Sequence, residues 1–390
     1  MGKLFDEWRA RSPFYDDTHE AIAQSVRRFI TAEATPHIDA WEAARIIPAA
    51  FHRRAGEAGL LGLGLPEEYG GTSEGIDVFH IFAQTEEIAT PGAGGLYSAL
   101  MTHMVALPPV LLLGSAEMKR RIAPAVISGE KVMALAITEP SGGSDVARLR
   151  TRAERHGDHY IVNGSKTFIS SGMRADYFTV AVRTGGPGLS GISLLLLEKD
   201  MPGFSRTPLE KMGWHCGDTA TLYFDNVKVP AAHLIGPENE GFLRILENFN
   251  SERLNAAHQC CAYARVCLED AVAWAAERET FGKKLGQHQV IRSKLGDMAR
   301  LIDATQAYVD VTAWRFAHKL AHPADFALVK VQATRTFEQV AREAAQVLGG
   351  ASFIRGNRIE RIYREVRVMA IGGGSEEILL DLAGRQLGFG

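Results

Sequence analysis

The first stretch of the chain that could do chemistry is AITEPSGGSD, at residues 136–145. An apolar strand runs there into a Thr-Glu-Pro turn and then into a glycine-rich loop. Glycines leave backbone N–H groups open to a ligand, and Thr138 and Ser144 add hydroxyl groups. This equipment suits a flat, hydrogen-bonding heterocycle with a phosphate tail. Taken alone the loop is a weak signal, so the prediction depends on segments further along the chain.

Other motifs lack the context that their chemistry requires. The GTSEG run at residues 71–75 matches the GxSxG pattern of serine hydrolases, but no strand precedes it. No GxGxxG joins a strand to a helix and no Walker-type loop occurs, which argues against a Rossmann nicotinamide site. His258 and Cys261 share a helix face without a second ligand pair, so we expect no metal site.

The elements that position the 136–145 loop follow from hydrophobic periodicity, which predicts helices over residues 1–128. Asp17 and Glu20 form a plausible capping box at the start of one helix. Further helices are expected at residues 51–58, 78–88, 98–113 and 116–127. Residues 129–236 are predicted to form a compact β domain. Asn163-Gly164 is a hairpin signal between strands 159–162 and 166–169, and the later strands are 177–183, 192–197 and 219–229.

Long helices return over residues 237–390. Apolar residues repeat at spacings of three and four from Leu254 to Ala275, and again from Phe326 to Val347. The second helix is expected to begin after Pro323 and to end at Gly349-Gly350. The fold class is therefore α+β: an N-terminal helical domain, a middle β-barrel-like domain and a C-terminal four-helix bundle.

Bulk composition excludes several classes of partner. With 390 residues the chain exceeds the size of one core, so two or three domains are expected. A net charge of −3 gives no footprint for nucleic acid, and no apolar run is long enough for a membrane span. The four cysteines form no CxxC motif. A soluble, cytoplasmic protein is the expectation.

The 136–145 loop is the first of five segments that together make the prediction specific. They are AITEPSGGSD (136–145), NGSKTFISSG (163–172), NSERL (250–254), RETFGKKLGQHQ (278–289) and the pair QVLGG (346–350) and IGGGSEEI (371–378). In this order and at these separations they closely resemble the acyl-CoA dehydrogenase family, over nearly the whole chain. The resemblance implies the same three-domain fold, one FAD per subunit and a homo-oligomer, usually a tetramer.

The resemblance also implies which residues hold FAD. Thr138 and Ser144 would approach the flavin ring and the pyrophosphate, and Phe168 and Ser170 would stack on the ring and hydrogen-bond to it. Arg278 and Phe281 would reach the FAD of a neighbouring subunit, where an arginine fork suits a pyrophosphate. The full implied set is Ile137, Thr138, Gly143, Ser144, Phe168, Ile169, Ser170, Arg278, Phe281, Gln289, Gln346, Gly349, Gly350, Ser375 and Glu377.

The catalytic base requires a separate argument. Many members carry it as the Glu of a Y-E-G-T run, which corresponds here to Gly372–Ser375 with Gly373 at the Glu position. Long-chain and isovaleryl-type members resemble this chain in placing a Glu at the start of the first bundle helix, where Glu252 stands. Glycine at 373 leaves room for that carboxylate. We therefore expect Glu252 to be the base, with the Gly373 N–H as a hydrogen-bond donor to the thioester oxygen.

The implied reaction is oxidation of an acyl-CoA thioester to trans-2-enoyl-CoA, with FAD accepting the β-hydride and an electron-transfer flavoprotein receiving the electrons. The residues aligned with substrate-contacting positions are Ser144, Leu243, Asn250, Arg253 and Gly374. Two alternatives keep the same fold: an oxidase or monooxygenase that uses O₂, and a catalytically silent flavin-bound scaffold. Medium, long or branched acyl chains are all compatible with the sequence.

Overall fold

The computed structural model describes residues 3–246 and 248–389, which form fifteen α-helices and ten β-strands. The helices are α1 Lys3–Arg11, α2 Asp17–Glu33, α3 Ile38–Ala44, α4 Ala49–Glu57, α5 Val78–Ala89, α6 Gly94–Met101, α7 His103–Ala106, α8 Pro108–Leu113, α9 Ala116–Ile127, α10 Gly241–Ile245, α11 Asn248–Glu277, α12 Gln289–Ala317, α13 Pro323–Leu348, α14 Arg358–Met369 and α15 Glu376–Gln386. The strands are β1 Met133–Ala136, β2 Arg152–His156, β3 His159–Ser170, β4 Tyr177–Arg183, β5 Ile192–Glu198, β6 Phe204–Pro208, β7 Thr219–Pro230, β8 Leu234–Ile235, β9 Glu279–Thr280 and β10 Lys283–Lys284. This succession of helices, strands and helices confirms the predicted fold class.

The chain divides into two compact units. The helical unit contains Met1–Asp39, Ile76–Gly94 and Asn250–Gly390, and the sheet unit contains Ala40–Gly75 and Gly95–Phe249. The predicted domain boundaries at 1–128, 129–236 and 237–390 stay a prediction. No single helix among the described residues has both the length and the apolar character to cross a membrane; only the bent pair Gly94–Met101 and His103–Leu113 meets those criteria together.

One mixed sheet of eight strands forms the centre of the sheet unit. Seven strands follow the order β6-β7-β3-β2-β4-β5-β8, and β1 pairs in parallel with β4. The interior of β4 is fully buried, as is β5 up to its last residue, which is why both read as continuous apolar runs rather than as alternating patterns. The sheet carries β1, and therefore the loop that follows it, on a rigid support.

The hairpin predicted at Asn163-Gly164 is wrong. Residues 159–170 form a single strand, β3, which pairs with β7 and has a bulge between Val162 and Gly164. Gly164 is needed there because a Cβ would lie 2.7 Å from the Cα of Thr151. The chain reverses instead between β2 and β3, where Gly157 has a φ of +63°. Asn-Gly therefore marks a bulge here and not a turn.

Two predicted helix boundaries are also corrected. Residues 98–113 form parts of three helices, α6, α7 and α8, because Pro108 and Pro109 have no N–H for a continuous helix and instead occupy the first turn of α8. The capping box of α2 lies one residue earlier than predicted. Asp16 is the N-cap, and His19 returns the hydrogen bond through its ring nitrogen.

The helical unit is built around long helices whose apolar seams match the prediction. Every residue of the α11 seam is buried, from Leu254 to Ala275. Helix α13 begins at Pro323 and ends at Leu348, followed by Gly349 with a φ of +60°. It packs against α12, α14 and α15. Its central position brings its side chains to the loop between α14 and α15.

Candidate active site

Glu252 and Gly373 lie together in the helical unit. Glu252 stands in the first turns of α11, and Gly373 lies in the loop between α14 and α15 with a φ of +70°. A Cβ built on Gly373 would have Glu252 Oε1 as its nearest neighbour, at 3.8 Å. A side chain at 373 would therefore grow toward the space that the Glu252 carboxylate now occupies. This is the arrangement expected of one carboxylate supplied from either of two backbone positions.

The environment of Glu252 favours its neutral form. The side chain is partly buried, and burial raises its pKa above the ordinary value, against the opposing charges of Arg253 and Lys330. Burial also lowers the pKa of the Arg253 guanidinium, which the charge of Glu252 partly offsets. A carboxylate with a raised pKa is a stronger base once ionised, which suits the abstraction of a weakly acidic proton.

Two cationic side chains donate hydrogen bonds to backbone carbonyl groups of the glycine loop, residues 372–374 between α14 and α15. Arg253 Nε donates to the Gly373 carbonyl at 3.4 Å, and Lys330 Nζ donates to the Gly374 carbonyl at 2.9 Å. Arg253 Nη1 also donates to Asn250 Oδ1 at 3.2 Å. The Gly373 N–H has no acceptor among the described residues. The structure therefore brings five predicted residues together, Glu252 included, and it adds Lys330, which sequence analysis missed.

A second group of predicted residues lies in the sheet unit, at the end of β1. A cavity of about 190 Å³ is lined by residues 137–139, 141–143, 145–146 and 148–150. The Thr167 N–H donates to the Thr138 carbonyl at 2.9 Å, which ties this loop to β3. Phe168 follows, with a φ of +59° and 69% of its surface exposed. An exposed aromatic ring one residue from that backbone contact fits the flavin predicted here.

The other predicted residues of this group differ in their exposure. Ser144 is exposed and Ser170 half-buried, whereas the Ile169 side chain is buried in the sheet core, so only its backbone can face a ligand. Gly143 lines the cavity, and a Cβ there would lie 3.0 Å from Thr138 Cγ2. Because Gly143 has no side chain, the space beside its backbone stays open to a ligand.

Sequence analysis also missed a buried ion pair beneath this loop. Lys166 is fully buried in β3, and its Nζ lies 2.9 Å from Glu139 Oε1 and donates to the Ile137 carbonyl at 2.9 Å. Glu139 in turn accepts from the Arg150 and Thr151 N–H groups at 2.7 and 2.8 Å. Burial lowers the pKa of Lys166 to about 8, although Glu139 opposes the shift. The pair fixes both ends of the 137–150 loop.

The remaining predicted residues lie in five other segments. Arg278 and Phe281 belong to the β9–β10 hairpin, where Phe281 is 98% exposed. Gln289 is exposed at the start of α12, and Gln346, Gly349 and Gly350 are exposed at the end of α13. Glu377 is exposed in the first turn of α15; its backbone N–H and the Ser375 hydroxyl lower the pKa of its carboxyl group. Leu243 is exposed in α10.

Comparison with known proteins gives both the class, a flavin-dependent oxidoreductase, and the family. The acyl-CoA dehydrogenase N-terminal, middle and C-terminal domain models match residues 16–130, 134–227 and 239–388. The chain belongs to the acyl-CoA dehydrogenase family, and its cofactor is FAD.

Individual relatives agree with this assignment. The chain is 38% identical over 400 residues to acyl-CoA dehydrogenase AFT10-1 of Alternaria alternata, covering 95% of this chain and 91% of that one. It is 33% identical over 377 residues to the mitochondrial long-chain specific acyl-CoA dehydrogenase of Mus musculus, covering 96% and 87%. A crystal structure of a probable acyl-CoA dehydrogenase from Mycobacterium abscessus superposes with a TM-score of 0.94 at 44% identity, covering 96% and 100%.

Proposed function

We propose that this protein oxidises an acyl-CoA thioester to a trans-2-enoyl-CoA with Glu252 as the base. The observation that carries the proposal is the position of the Glu252 carboxylate at the point to which a side chain of residue 373 would grow, 3.8 Å from a Cβ on Gly373. The base and the missing side chain are thus complementary in space as well as in sequence. A chain without this chemistry has no need of either.

Glu252 would accept the proton that leaves the α-carbon of the thioester. Such a proton is too weakly acidic for a free carboxylate in water, so two features must help. Burial makes the ionised carboxylate more basic, and the free Gly373 N–H can donate to the thioester oxygen as negative charge develops there. Loss of one such donor typically slows a reaction by ~10²–10³-fold.

The flavin would be held in the sheet unit by Thr138, Gly143, Ser144, Phe168 and Ser170, together with the Ile137 and Ile169 backbones. Arg278 and Phe281 are proposed to reach the FAD of a neighbouring subunit, and the residues proposed to bind its adenosine half are Gln289, Gln346, Gly349, Gly350, Ser375 and Glu377. Bound FAD supplies the acceptor for the β-hydride. Substrate contacts are assigned to Ser144, Leu243, Asn250, Arg253 and Gly374.

We also propose a homotetramer as the assembly. Phe281, which the family resemblance places at the FAD of a neighbouring subunit, is 98% exposed, and Phe353 is 89% exposed. A second copy of the chain would cover them. Sedimentation equilibrium of the flavoprotein should give the mass of four chains; a monomer at micromolar concentration would contradict this assignment.

The substrate is proposed to carry a medium, long or branched acyl chain, as in fatty acid oxidation, with an electron-transfer flavoprotein as acceptor. A stopped-flow panel of acyl-CoA thioesters under anaerobic conditions tests the first point through bleaching of the flavin absorbance. The second is tested by the reoxidation rate with the flavoprotein acceptor against the rate in air. Reoxidation by air at a turnover-competent rate would favour the oxidase alternative instead.

Replacement of the base tests the mechanism directly. Glu252→Gln should retain FAD and bleach with acyl-CoA at least ~10³-fold more slowly, because an amide cannot accept the proton. A relocation variant sharpens the test: Glu252→Gly combined with Gly373→Glu should recover part of the rate that Glu252→Gly alone loses. Wild-type bleaching by Glu252→Gln would overturn the assignment of the base.

A further inference from the structure

We propose that Lys330 is a positioning residue for this reaction: it holds the glycine loop so that the Gly373 N–H faces the substrate, and its charge acts on Glu252. The inference rests on the proposed function and deepens it. Lys330 stands on α13, outside every motif that identified the site, and it does not need to touch the substrate in order to act.

The first support is geometric. The loop between α14 and α15 contains three successive glycines, of which Gly373 and Gly374 have φ values of +70° and +109°. Glycine backbones have wide conformational freedom, so the loop needs external contacts to present one N–H in one direction. The Gly372 N–H donates to the Val368 carbonyl at 2.8 Å and anchors the start of the loop. The Lys330 ammonium anchors its end through the Gly374 carbonyl.

The second support is the cost of the residue. Lys330 is fully buried, and burial lowers the pKa of its ammonium group. No carboxylate among the described residues forms an ion pair with it. Glu376, the acidic residue nearest in sequence to the loop, accepts from Thr334 Oγ1 at 2.6 Å and from Arg335 Nε at 3.0 Å. Burying an ammonium group without an ion-pair partner costs free energy, so a lysine at this position indicates a role beyond packing.

The charge has an identifiable target. Glu252, Glu376, Arg253 and the Cys260 thiol are the ionisable groups that act on Lys330, from α11 and α15. Of the two carboxylates, Glu376 already has a cationic partner in Arg335. Lys330 in turn opposes the effect of burial on Glu252. A positive charge there also favours the negative charge that develops on the substrate oxygen as the proton leaves.

The test compares Lys330→Met and Lys330→Gln with the wild type. Methionine removes both the charge and the donor, whereas glutamine keeps an N–H donor and removes the charge. Single-turnover bleaching of the FAD-loaded variants by a saturating acyl-CoA is followed from pH 5 to pH 9. Lys319→Met, which alters an exposed lysine of the same unit, is the matched control.

We expect Lys330→Met to bleach ~10²-fold more slowly with FAD content unchanged. Its pH–rate midpoint should move upward by roughly 1 unit, because the base loses a neighbouring positive charge. Lys330→Gln should show the same shift with a smaller loss of rate. A wild-type rate and midpoint in both variants overturns the proposal. If Lys330→Met does not retain FAD, an unchanged midpoint in Lys330→Gln overturns it. Wild-type bleaching, together with its loss in Glu252→Gln, tests the proposed function separately.

Discussion

Each unit of the molecule contains a fully buried lysine that holds a loop of the candidate site. Lys166 in the sheet unit donates to the Ile137 carbonyl, and Lys330 in the helical unit donates to the Gly374 carbonyl. The two lysines differ in whether a carboxylate neutralises the buried positive charge. Lys166 has the Glu139 carboxylate at 2.9 Å, whereas Lys330 has no ion-pair partner among the described residues.

This difference separates two uses of a buried charge. At Lys166 the positive and negative charges neutralise each other, and the backbone N–H groups that also bond Glu139 complete a closed network. Such a fully bonded network makes a loop rigid. At Lys330 the charge remains available to Glu252. We infer that the 137–150 loop, predicted to bind the flavin, needs rigidity. The base needs a nearby positive charge that no ion-pair partner of Lys330 neutralises.

The largest expected effect is the loss of stability when the Lys166–Glu139 ion pair is broken. Lys166→Met should destabilise the protein by about 3–5 kcal/mol, because it leaves the Glu139 carboxylate buried without its cation. Lys330→Met should lower the free energy of unfolding by about 1–2 kcal/mol, since it leaves only a carbonyl without its donor. Urea denaturation of the two FAD-free variants measures both values.

A double variant controls this comparison. Lys166→Met combined with Glu139→Leu should recover part of the lost stability, since it removes the unpaired carboxylate but also takes the acceptor from the Arg150 and Thr151 N–H groups. If Lys166→Met proves no more destabilising than Lys330→Met, then the distinction between a compensated and an uncompensated lysine is wrong.

The sequence predicted those parts of the fold that depend on local periodicity. The apolar repeats of α11 and α13 gave helices that the structure confirms, and Pro323 gave the start of α13. Asn163-Gly164 misled the prediction because a glycine with positive φ serves a turn and a bulge equally well. Only the pairing of β3 with β7 over its whole length, which is not local, distinguishes the two.

The candidate site divides in the same way. Glu252 and Gly373 could be found because they lie within recognisable segments, but neither lysine could be assigned by motif. A signal did exist: Lys330 is four residues after Phe326 and three before Ala333, within the apolar stripe of α13. Lys166 falls on the same alternation as Tyr160 and Val162. A lysine on an apolar face indicates burial, but its partner depends on tertiary packing.

The next effect in size is the pH dependence of stability that follows from the lowered pKa of Lys166. The pKa of Lys166 is about 8 in the folded protein, below the ordinary value of 10.5 that applies to the unfolded chain. Between these two values the unfolded state binds more protons, so the stability must rise with pH. The free energy of unfolding should increase by about 2 kcal/mol from pH 7.5 to pH 9.5.

The Lys166→Met, Glu139→Leu double variant supplies the reference for this slope, since it lacks both titrating groups but keeps every other one. The prediction concerns the difference between the two urea-derived curves. Parallel curves over this range would mean that Lys166 titrates at its ordinary pKa, and the low-dielectric environment inferred for the sheet unit would be incorrect.

The smallest expected effects come from one glycine in each loop, and they distinguish binding from catalysis. A Cβ on Gly143 would lie 3.0 Å from Thr138 Cγ2, which a small side-chain rotation can relieve. Gly143→Ala should therefore weaken FAD binding by several-fold, about 1 kcal/mol, and leave the bleaching rate at saturating FAD unchanged.

Gly374→Ala should do the reverse, because a Cβ there meets Leu379 Cδ2 at 2.9 Å in a backbone conformation that favours glycine. It should slow bleaching with FAD affinity unchanged, since the displaced backbone belongs to the loop that Lys330 holds. Titration of the FAD-free proteins with FAD, followed by single-turnover bleaching, measures both quantities on the same samples. Equal effects of the two alanines on affinity and on rate would show that the two loops do not have the separate roles inferred from their lysines.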